Sequence, residues 1–247
     1  MEIISVQNEK VKMVASLAQK KYRDKMQLFV CEGQKLIDEA LSSGYKMSMF
    51  FYTKKEDGLL YNVKEKYRVS EKVMQKMSGL STGASMLATF IQKDAIKDSG
   101  GRYLVLENIQ DAGNFGAIIR SAHACEFLNI YALNCVDMYD IKCLRASMGA
   151  IFKVNIINCS LEKFKTLGKK ELVCASMEGE NIYSSKNKFS ASCGVVLGNE
   201  GHGVSDALRA LCSKTISLPM KAGQESLNVA VSASLIMYAI RYNLKQS

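Results

Sequence analysis

From about residue 101 onward, short and mostly apolar runs alternate with segments of helical periodicity, and this alternation limits the folds open to the chain. The apolar runs lie at 103–106, 130–133, 172–175, 194–197 and 215–218. Helical segments are predicted at 114–125, 140–147, 205–212 and 227–242. Buried strands that alternate with helices are typical of a parallel sheet covered on both faces. We therefore predict an α/β domain over residues 100–247.

The first 92 residues show a more mixed pattern that predicts a second, smaller α/β domain. Val11, Val14 and Leu17 recur at helical spacing and should face a core. Strands are predicted at 28–31, 47–52 and 67–69, and helices at 33–43 and 71–77. In the first of these helices, the residues expected to face inward are Leu36, Ile37, Ala40 and Leu41. A polar segment at 93–101 is the best candidate for a linker. The predicted domains are thus 1–92 and 100–247.

The chain is basic, with 33 Lys and Arg against 24 Asp and Glu and a formal net charge of +9. Between residues 10 and 25 there is a single acid, Asp24, and six basic residues: Lys10, Lys12, Lys20, Lys21, Arg23 and Lys25. A basic surface of this kind neutralises phosphates and indicates a polyanionic partner. The alternative is an ordinary solvated helix face.

Composition argues against several classes of protein. There is no apolar run of about 18 residues, so a membrane span is not expected. The amino-terminal residues do not form a signal segment, so we expect a soluble cytoplasmic protein. The 8 cysteines have no Cys-x-x-Cys spacing, which predicts reduced thiols in the core. Only 2 histidines are present, so no metal site is expected.

Three polar or glycine-containing segments follow predicted strands, at the edge where parallel sheets bind ligands. The first, 111–120, contains Asn114, which we predict as the N-cap of the following helix. It also contains Arg120, which has apolar neighbours in the sequence. An arginine in such surroundings needs either an ion-pair partner within the fold or an anionic ligand.

The second segment, 198–203, contains three glycines and Glu200. Glu200 would repel a polyphosphate, and neither the P-loop pattern nor Gly-x-Gly-x-x-Gly is present, so a ligand with cationic or hydroxyl groups fits better. The third segment follows Pro219 and leads into the predicted helix at 227–242. There Ser226 is a natural N-cap, and Asn228 would lie in the first turn, where free backbone N–H groups attract polar ligand atoms.

Together these segments resemble the motifs of the SpoU (TrmH-like) family of SPOUT-class RNA methyltransferases. Asn114 and Arg120 match the first motif, and the Gly-Asn-Glu-Gly-His-Gly run at 198–203 matches the second. Pro-Met at 219–220, followed by Ser-Leu-Asn-Val at 226–229, matches the third. A further family segment of the form Arg-x-Ser-x-Gly is matched from Arg145 onward.

The resemblance extends to the amino-terminal region and therefore covers nearly the whole chain. Residues 5–12 and 28–33 resemble the substrate-binding domain of the family's ribosomal-RNA branch. Two positions depart from the family pattern. Ala112 stands where the family usually has proline, and residues 82–86 replace a segment that is usually similar to Thr-Pro-Gln-Gly.

The resemblance implies an α/β fold with a deep trefoil knot, a smaller L7Ae-like α/β domain that binds RNA, and a homodimer. It also implies S-adenosylmethionine as cofactor and transfer of its methyl group to a ribose 2′-hydroxyl. Ribosomal RNA is favoured over transfer RNA because of the amino-terminal domain. Since a guanidinium stays protonated far above pH 7, we expect Arg120 to hold the adjacent phosphate and polarise the hydroxyl.

The candidate site residues, taken from the charge pattern and from the resemblance together, fall into three groups. Catalytic roles are implied for Arg120, Asn114, Glu200, Ser226 and Asn228. Cofactor contacts are implied for Leu197, Gly198, Asn199, Gly201, Ile216, Leu218, Met220, Ser226 and Leu227. RNA contacts are expected for Lys10, Lys12, Lys20, Lys21, Arg23, Lys25 and Arg145.

Two other readings of the sequence stay open. The chain could be a non-catalytic RNA-binding member of the family, although Arg120, Glu200 and Asn228 are all present. It could also be a dinucleotide-dependent oxidoreductase, since that class is α/β as well. The missing Gly-x-Gly-x-x-Gly speaks against the second reading.

Overall fold

A computed structural model of the 247-residue chain divides into two compact units. It describes residues 2–78, 84–96, 98, 100–169, 171–184, 187–199, 201–223 and 226–245. Unit 1 comprises Met1–Asp94 and Tyr139–Arg145, and unit 2 comprises Ala95–Met138 and Ala146–Ser247. Part of the 82–86 segment, and Glu200 of the second motif, lie outside the described residues.

Unit 1 is an α/β unit built on one mixed five-stranded sheet. Its strands are β1 (Glu2–Ile3), β2 (Leu28–Glu32), β3 (Met47–Tyr52), β4 (Glu65–Val69) and β5 (Met86–Ile91). Their spatial order is β1-β4-β3-β5-β2, and β5 runs antiparallel to both of its neighbours. The helices are α1 (Glu9–Ser16), α2 (Lys20–Met26), α3 (Gln34–Ser42) and α4 (Glu71–Ser78), with a 3-10 turn at Lys55–Leu59.

The core of unit 1 follows the predicted helical spacing. Val11, Val14 and Leu17 are buried, as predicted. In α3 the inward face is also as predicted except at Leu41, which is 37% exposed. Leu41 lies in the last turn of α3, just before the chain reverses at Gly44 with φ +72°. The interior strand β5 was not predicted from the sequence, because its residues are buried on both faces and show no alternation.

Unit 2 carries a six-stranded sheet in which every pairing is parallel, which confirms the predicted parallel sheet. Its strands are β6 (Tyr103–Glu107), β7 (Asn129–Leu133), β8 (Asn155–Asn158), β9 (Leu172–Asn181), β10 (Gly194–Leu197) and β11 (Lys214–Ser217). The helices are α5 (Ala112–Ala124), α6 (Ile141–Ser147), α7 (Leu161–Thr166), α8 (Asp206–Arg209) and α9 (Val229–Lys245). The first five residues of α6 belong to unit 1.

In unit 2 the strands lie in the spatial order β11-β9-β10-β6-β7-β8. The chain forms β6, β7 and β8 in that order across the sheet and then adds β9, β10 and β11 on the opposite flank of β6. The progression of the chain across the sheet therefore reverses beside β6. Beyond the carboxyl ends of strands, such a reversal leaves a crevice where α/β proteins bind ligands. The loops that follow β6 and β10 therefore lie at one edge of the sheet, as do those that follow β9 and β11.

No helix in the described parts of the chain is long and apolar enough to cross a bilayer. The eight cysteines are all free thiols, and five of them are buried. The prediction of reduced thiols in the core therefore agrees with the structure at those five positions.

Candidate active site

The loop at 198–203 closes tightly over the end of β10. A Cβ on Gly198 would lie 2.0 Å from the carbonyl oxygen of Gly203, so only glycine fits there. The backbone N–H of Gly203 donates to the carbonyl of Asn199 at 2.8 Å. The Asn199 side chain donates in turn to the carbonyl of Asn108 at 3.0 Å, which ties the loop to the end of β6.

A buried carboxylate holds the chain where it leaves this loop. Glu107, at the end of β6, is 7% exposed. One of its oxygens accepts the backbone N–H of Ser205 at 2.8 Å, and the other accepts the Ser205 hydroxyl at 2.7 Å. Ser205 is the N-cap of α8, so Glu107 fixes the start of that helix beside the loop.

Strand β9 bulges outward at the same edge of the sheet. Along β11 the partner of Thr215 is Cys174, whereas the partner of the next residue, Ile216, is Glu180. Five residues of β9, at positions 175–179, therefore lie between the partners of two adjacent residues of β11. Gly179 makes the close approach possible, because a Cβ there would lie 2.4 Å from the Ile216 backbone.

The loop at 198–203, the β9 bulge and the ends of α8 and α9 together surround a cavity of about 470 Å³ in unit 2. All nine residues expected to contact the cofactor line it: Leu197, Gly198, Asn199, Gly201, Ile216, Leu218, Met220, Ser226 and Leu227. The segments they come from are far apart in the sequence. The parallel sheet brings these segments together, because their strands end at one edge.

Several lining residues were not predicted from the sequence. They come from the β9 bulge, from α8 and from α9, and include Ala175, Ser176, Met177, Glu178, Arg209 and Ser232. Ala175 ends the predicted strand at 172–175 and the other bulge residues directly follow it, so their place at the carboxyl end of a strand was a usable signal. Arg209 gave no such signal, since a basic residue in a short helix usually faces solvent.

The two asparagines of the first and third motifs are in direct contact. The Asn228 side-chain amide donates to the Asn114 side-chain oxygen at 3.0 Å. Their local roles differ from the predicted ones. The N-cap of α5 is Asp111, whose carboxylate accepts the backbone N–H of Asn114 at 2.7 Å, so the prediction of Asn114 as N-cap is wrong. Asp111 stands one residue before the helix, where a short acceptor reaches the first-turn N–H groups.

The start of α9 is also capped by a different residue. The Asn228 side-chain oxygen accepts the backbone N–H groups of Ala230 at 2.9 Å and Val231 at 3.4 Å. The helix begins at Val229, two residues later than predicted. Ser226 is therefore not its cap but lines the cavity, next to Leu227.

Arg120 lies on the exposed side of α5, although its sequence neighbours Ile118 and Ile119 are buried. It forms no hydrogen bond or ion pair with any residue that the structure describes. The expected alternative of an ion pair within the fold therefore finds no support among these residues. Arg120 is also not among the residues that line the cavity.

Two of the residues expected to contact RNA are engaged inside unit 1. Arg23 is 3% exposed and donates to the carbonyl oxygens of Leu17 and Ala18 at 2.8 and 2.9 Å. It thus satisfies backbone carbonyls just beyond α1, and its burial contradicts an RNA-contacting role. Arg145 forms an ion pair with Glu32, whose side chain is 3% exposed.

The expected lysines differ in how free their charges are. Lys10 pairs with Glu65 at 2.7 Å, and the hydrogen bond to Glu65 is the main cause that raises the pKa of Lys10. Lys20 pairs with Asp24 at 2.6 Å on the surface of α2. Lys12, Lys21 and Lys25 are exposed.

Lys12 borders an open groove between α1 and α4 that the sequence did not reveal. Lys72 and Lys76, one turn apart on α4, line it together with Val6, Gln7 and Gln75. No acidic side chain lies among these lining residues. The only described acid that pairs with one of the three lysines is Glu9, which is 3.6 Å from Lys12 and has a side chain 92% exposed. We call the groove around Lys12, Lys72 and Lys76 the lysine groove.

Two family models match the chain. The SpoU rRNA Methylase family model matches residues 101–238, and the MRM3-like substrate binding domain model matches residues 8–88. Among curated proteins, the chain is 28% identical to 23S rRNA (guanosine(2553)-2'-O)-methyltransferase RlmP of Bacillus subtilis, over 97% of this chain and 99% of that protein. It is 24% identical to the human protein named rRNA methyltransferase 3, mitochondrial, over 91% of this chain and 70% of that one.

Solved structures show the same likeness. The AdoMet-bound rRNA methyltransferase from Sinorhizobium meliloti superimposes with a TM-score of 0.88 and 26% identity. The match covers 99% of this chain and 98% of that one. Both units thus have counterparts in one known protein.

Proposed function

Because the chain belongs to the SpoU rRNA methylase family, we propose that it transfers the methyl group of S-adenosylmethionine to a ribose 2′-hydroxyl of ribosomal RNA. The cavity at the edge of the parallel sheet is the observation that carries this proposal. Its lining unites the second and third motifs of the sequence. Ribosomal RNA is favoured because residues 8–88 match a substrate-binding domain and because the Bacillus subtilis relative is named for 23S rRNA.

The cavity residues fit S-adenosylmethionine. A volume of about 470 Å³ lies within the range of roughly 300–1,000 Å³ typical of small-molecule sites. Leu197, Ile216 and Leu218 offer apolar surface for an adenine ring, and the glycine-rich loop exposes backbone groups for polar atoms. When bound, the cofactor supplies a methyl group on a sulfonium, which is ready for nucleophilic attack.

Arg120 has the properties that the reaction requires of a group facing RNA. It is exposed, and among the described residues it has no competing acid. We propose that it holds the phosphate next to the target nucleotide and stabilises negative charge on the 2′-oxygen as the hydroxyl proton passes to solvent water. Ser226 and Asn228 would orient the reactants at the rim of the cavity. Glu200, which lies outside the described residues, is assigned to the same group by its motif alone.

A second copy of the chain would complete the site. Arg120 lies six residues beyond Asn114, which is about 9 Å along a helix, and it does not line the cavity of its own chain. One face of α9 exposes four apolar residues at spacings of four, three and four: Val231, Leu235, Tyr238 and Tyr242, each 41–63% exposed. Such a stripe on a helix marks an interaction face. We propose that it packs against its counterpart in a homodimer.

The lysine groove of unit 1 is proposed as a contact for the RNA backbone, together with the exposed Lys21 and Lys25. Three ammonium groups around one groove attract phosphates, and neutralising phosphates releases counterions. The same proposal includes an L7Ae-like fold for residues 1–92 and a trefoil knot in residues 100–247. A cytoplasmic location, expected from the sequence, also belongs to it.

Alkaline hydrolysis tests the proposed reaction. Purified protein is incubated with 23S rRNA, a separate transfer RNA pool and methyl-labelled S-adenosylmethionine. A 2′-O-methyl group blocks alkaline cleavage of the adjacent phosphodiester, so the label should appear in alkali-resistant dinucleotides from 23S rRNA. Label in mononucleotides would indicate base methylation, and label in transfer RNA alone would shift the substrate. RNA binding without any transfer would favour a non-catalytic family member.

A further inference from the structure

Arg209 presents an unsatisfied donor next to the cofactor cavity. It is the last residue of α8 and lines the cavity. Its Nε is fully buried and has no hydrogen-bond partner among the described residues. Because buried polar groups are almost always paired in native proteins, an orphan of this kind calls for an explanation.

None of the described acidic residues forms an ion pair with Arg209. Two thiols lie nearby: Cys174 donates to the backbone carbonyl of Ala175 at 3.7 Å, and Cys212 donates to that of Leu208 at 3.5 Å. The carboxylate of Glu107 already accepts two hydrogen bonds from Ser205. Glu178 also lines the cavity, but it is exposed to solvent and forms no described ion pair with Arg209.

We propose that Arg209 binds the α-carboxylate of the methionine portion of S-adenosylmethionine. This inference rests on the proposed function. The cofactor has one anionic group, the carboxylate, whereas its sulfonium and ammonium groups would repel a guanidinium. Arginine presents forked N–H donors that match a carboxylate, and such charge-assisted hydrogen bonds are strong where water is excluded. The bound carboxylate would give Nε of Arg209 the partner that none of the described residues supplies.

Three ligands that share an adenosine part separate this role from others. S-adenosylmethionine and S-adenosylhomocysteine carry the carboxylate, and 5′-methylthioadenosine lacks it. Dissociation constants are measured by titration calorimetry for the full-length protein and for Arg209→Met. The variant should bind the two carboxylate-bearing ligands roughly 10- to 100-fold more weakly, and 5′-methylthioadenosine within about twofold of wild type. Unchanged binding of that ligand also shows that the cavity is still folded.

Two further variants calibrate the result. Arg209→Lys keeps the charge but not the fork, so it should recover part of the affinity for S-adenosylhomocysteine. Arg68→Met removes the same charge from an exposed position in unit 1, and it should leave all three affinities unchanged.

Other outcomes overturn the inference. Equal weakening of all three ligands would place Arg209 at the adenosine part. Tighter binding of S-adenosylmethionine alone would place it beside the sulfonium, and unchanged binding of every ligand would remove it from the site. If the wild-type protein binds none of the three, the proposed function itself fails, which is a different result from a loss confined to the variant.

Discussion

Asn228 joins the two helices at the rim of the cavity, because its side-chain amide donates to Asn114 on α5 while its oxygen caps α9. The residue before it, Leu227, lines the cavity. One side chain thus sets both the start of α9 and its distance from α5. This arrangement explains why two polar residues 114 positions apart belong to one site.

Removing either asparagine should lower stability by different amounts. Asn228→Ala loses a helix cap and the contact with Asn114, so we expect a loss of about 1–2 kcal/mol in the free energy of unfolding. Asn114→Ala loses the contact with Asn228 but no helix cap, and the expected loss is about 0.5–1 kcal/mol. Urea unfolding of both single variants and of the double variant measures these terms.

The double variant is the control for this pair. If the two side chains interact, its loss should be smaller than the sum of the single losses. Strict additivity would contradict a direct hydrogen bond. Asn114→Ala should also weaken S-adenosylmethionine binding less than Asn228→Ala does, because only Asn228 adjoins a residue that lines the cavity.

Gly198 should tolerate no side chain. A methyl group there would lie 2.0 Å from the backbone of Gly203, so Gly198→Ala must open the loop and should abolish detectable cofactor binding. Gly201→Ala is the matched control in the same loop, since its Cβ would lie 3.3 Å from the side-chain oxygen of Asn199, far less close than 2.0 Å. Calorimetry should show a clearly smaller loss for Gly201→Ala. Equal losses would contradict the steric explanation.

The lysine groove should dominate the electrostatic part of RNA binding in unit 1. Replacing Lys12, Lys72 and Lys76 with Gln should weaken 23S rRNA binding and reduce the slope of log K against log salt by about 2–3. The control replaces three exposed lysines of unit 1 that lie outside the groove, at positions 54, 55 and 64, and changes the net charge equally. Filter binding at several salt concentrations compares the two. Equal slopes would show that only net charge matters.

Glu32 should make unit 1 less stable as the pH rises. Burial raises the pKa of Glu32 above its ordinary value of 4.5, and the hydrogen bond and charge of Arg145 offset part of this effect. A raised carboxyl pKa means that the folded chain holds the proton more tightly than the unfolded chain. The folded state therefore loses stability as the pH rises from about 4.5 through the raised pKa.

Glu32→Gln removes this titration and keeps a hydrogen-bond acceptor for Arg145. Its stability relative to wild type should therefore improve as the pH is raised from 4 to 7. Urea unfolding across that range measures the difference. A wild-type chain that gains on the variant as the pH rises would show that the ion pair outweighs burial.

The parallel sheet of unit 2 could be predicted because its strands are short, apolar and separated by helices. The nine cavity residues could also be predicted, since they occupy the ends of strands and match family motifs. Features that depend on tertiary packing could not be predicted from the sequence. The β9 bulge exists because Gly179 lets β11 pass close by, and Arg23 is buried because it satisfies carbonyls beyond α1. Charge density alone could not distinguish Arg23 from the lysines around it.

Helix boundaries show the same limit on a smaller scale. Asp111 and Asn114 are both good N-caps by residue type, as are Ser226 and Asn228. Which member of each pair caps its helix depends on where the loop after the preceding strand ends and the helix begins. In both cases the residue left over has a different place, Asn114 in the contact between helices and Ser226 in the cavity lining.

Arg120→Ala separates a role in methyl transfer from a role in cofactor binding. The measurement pairs single-turnover transfer of the methyl group from S-adenosylmethionine to 23S rRNA with calorimetric binding of S-adenosylmethionine alone. If Arg120 stabilises the reacting oxygen, the transfer rate should fall by about 100-fold or more, while cofactor affinity stays within about twofold of wild type. Transfer at the wild-type rate, or a loss explained entirely by weaker cofactor binding, would contradict the account.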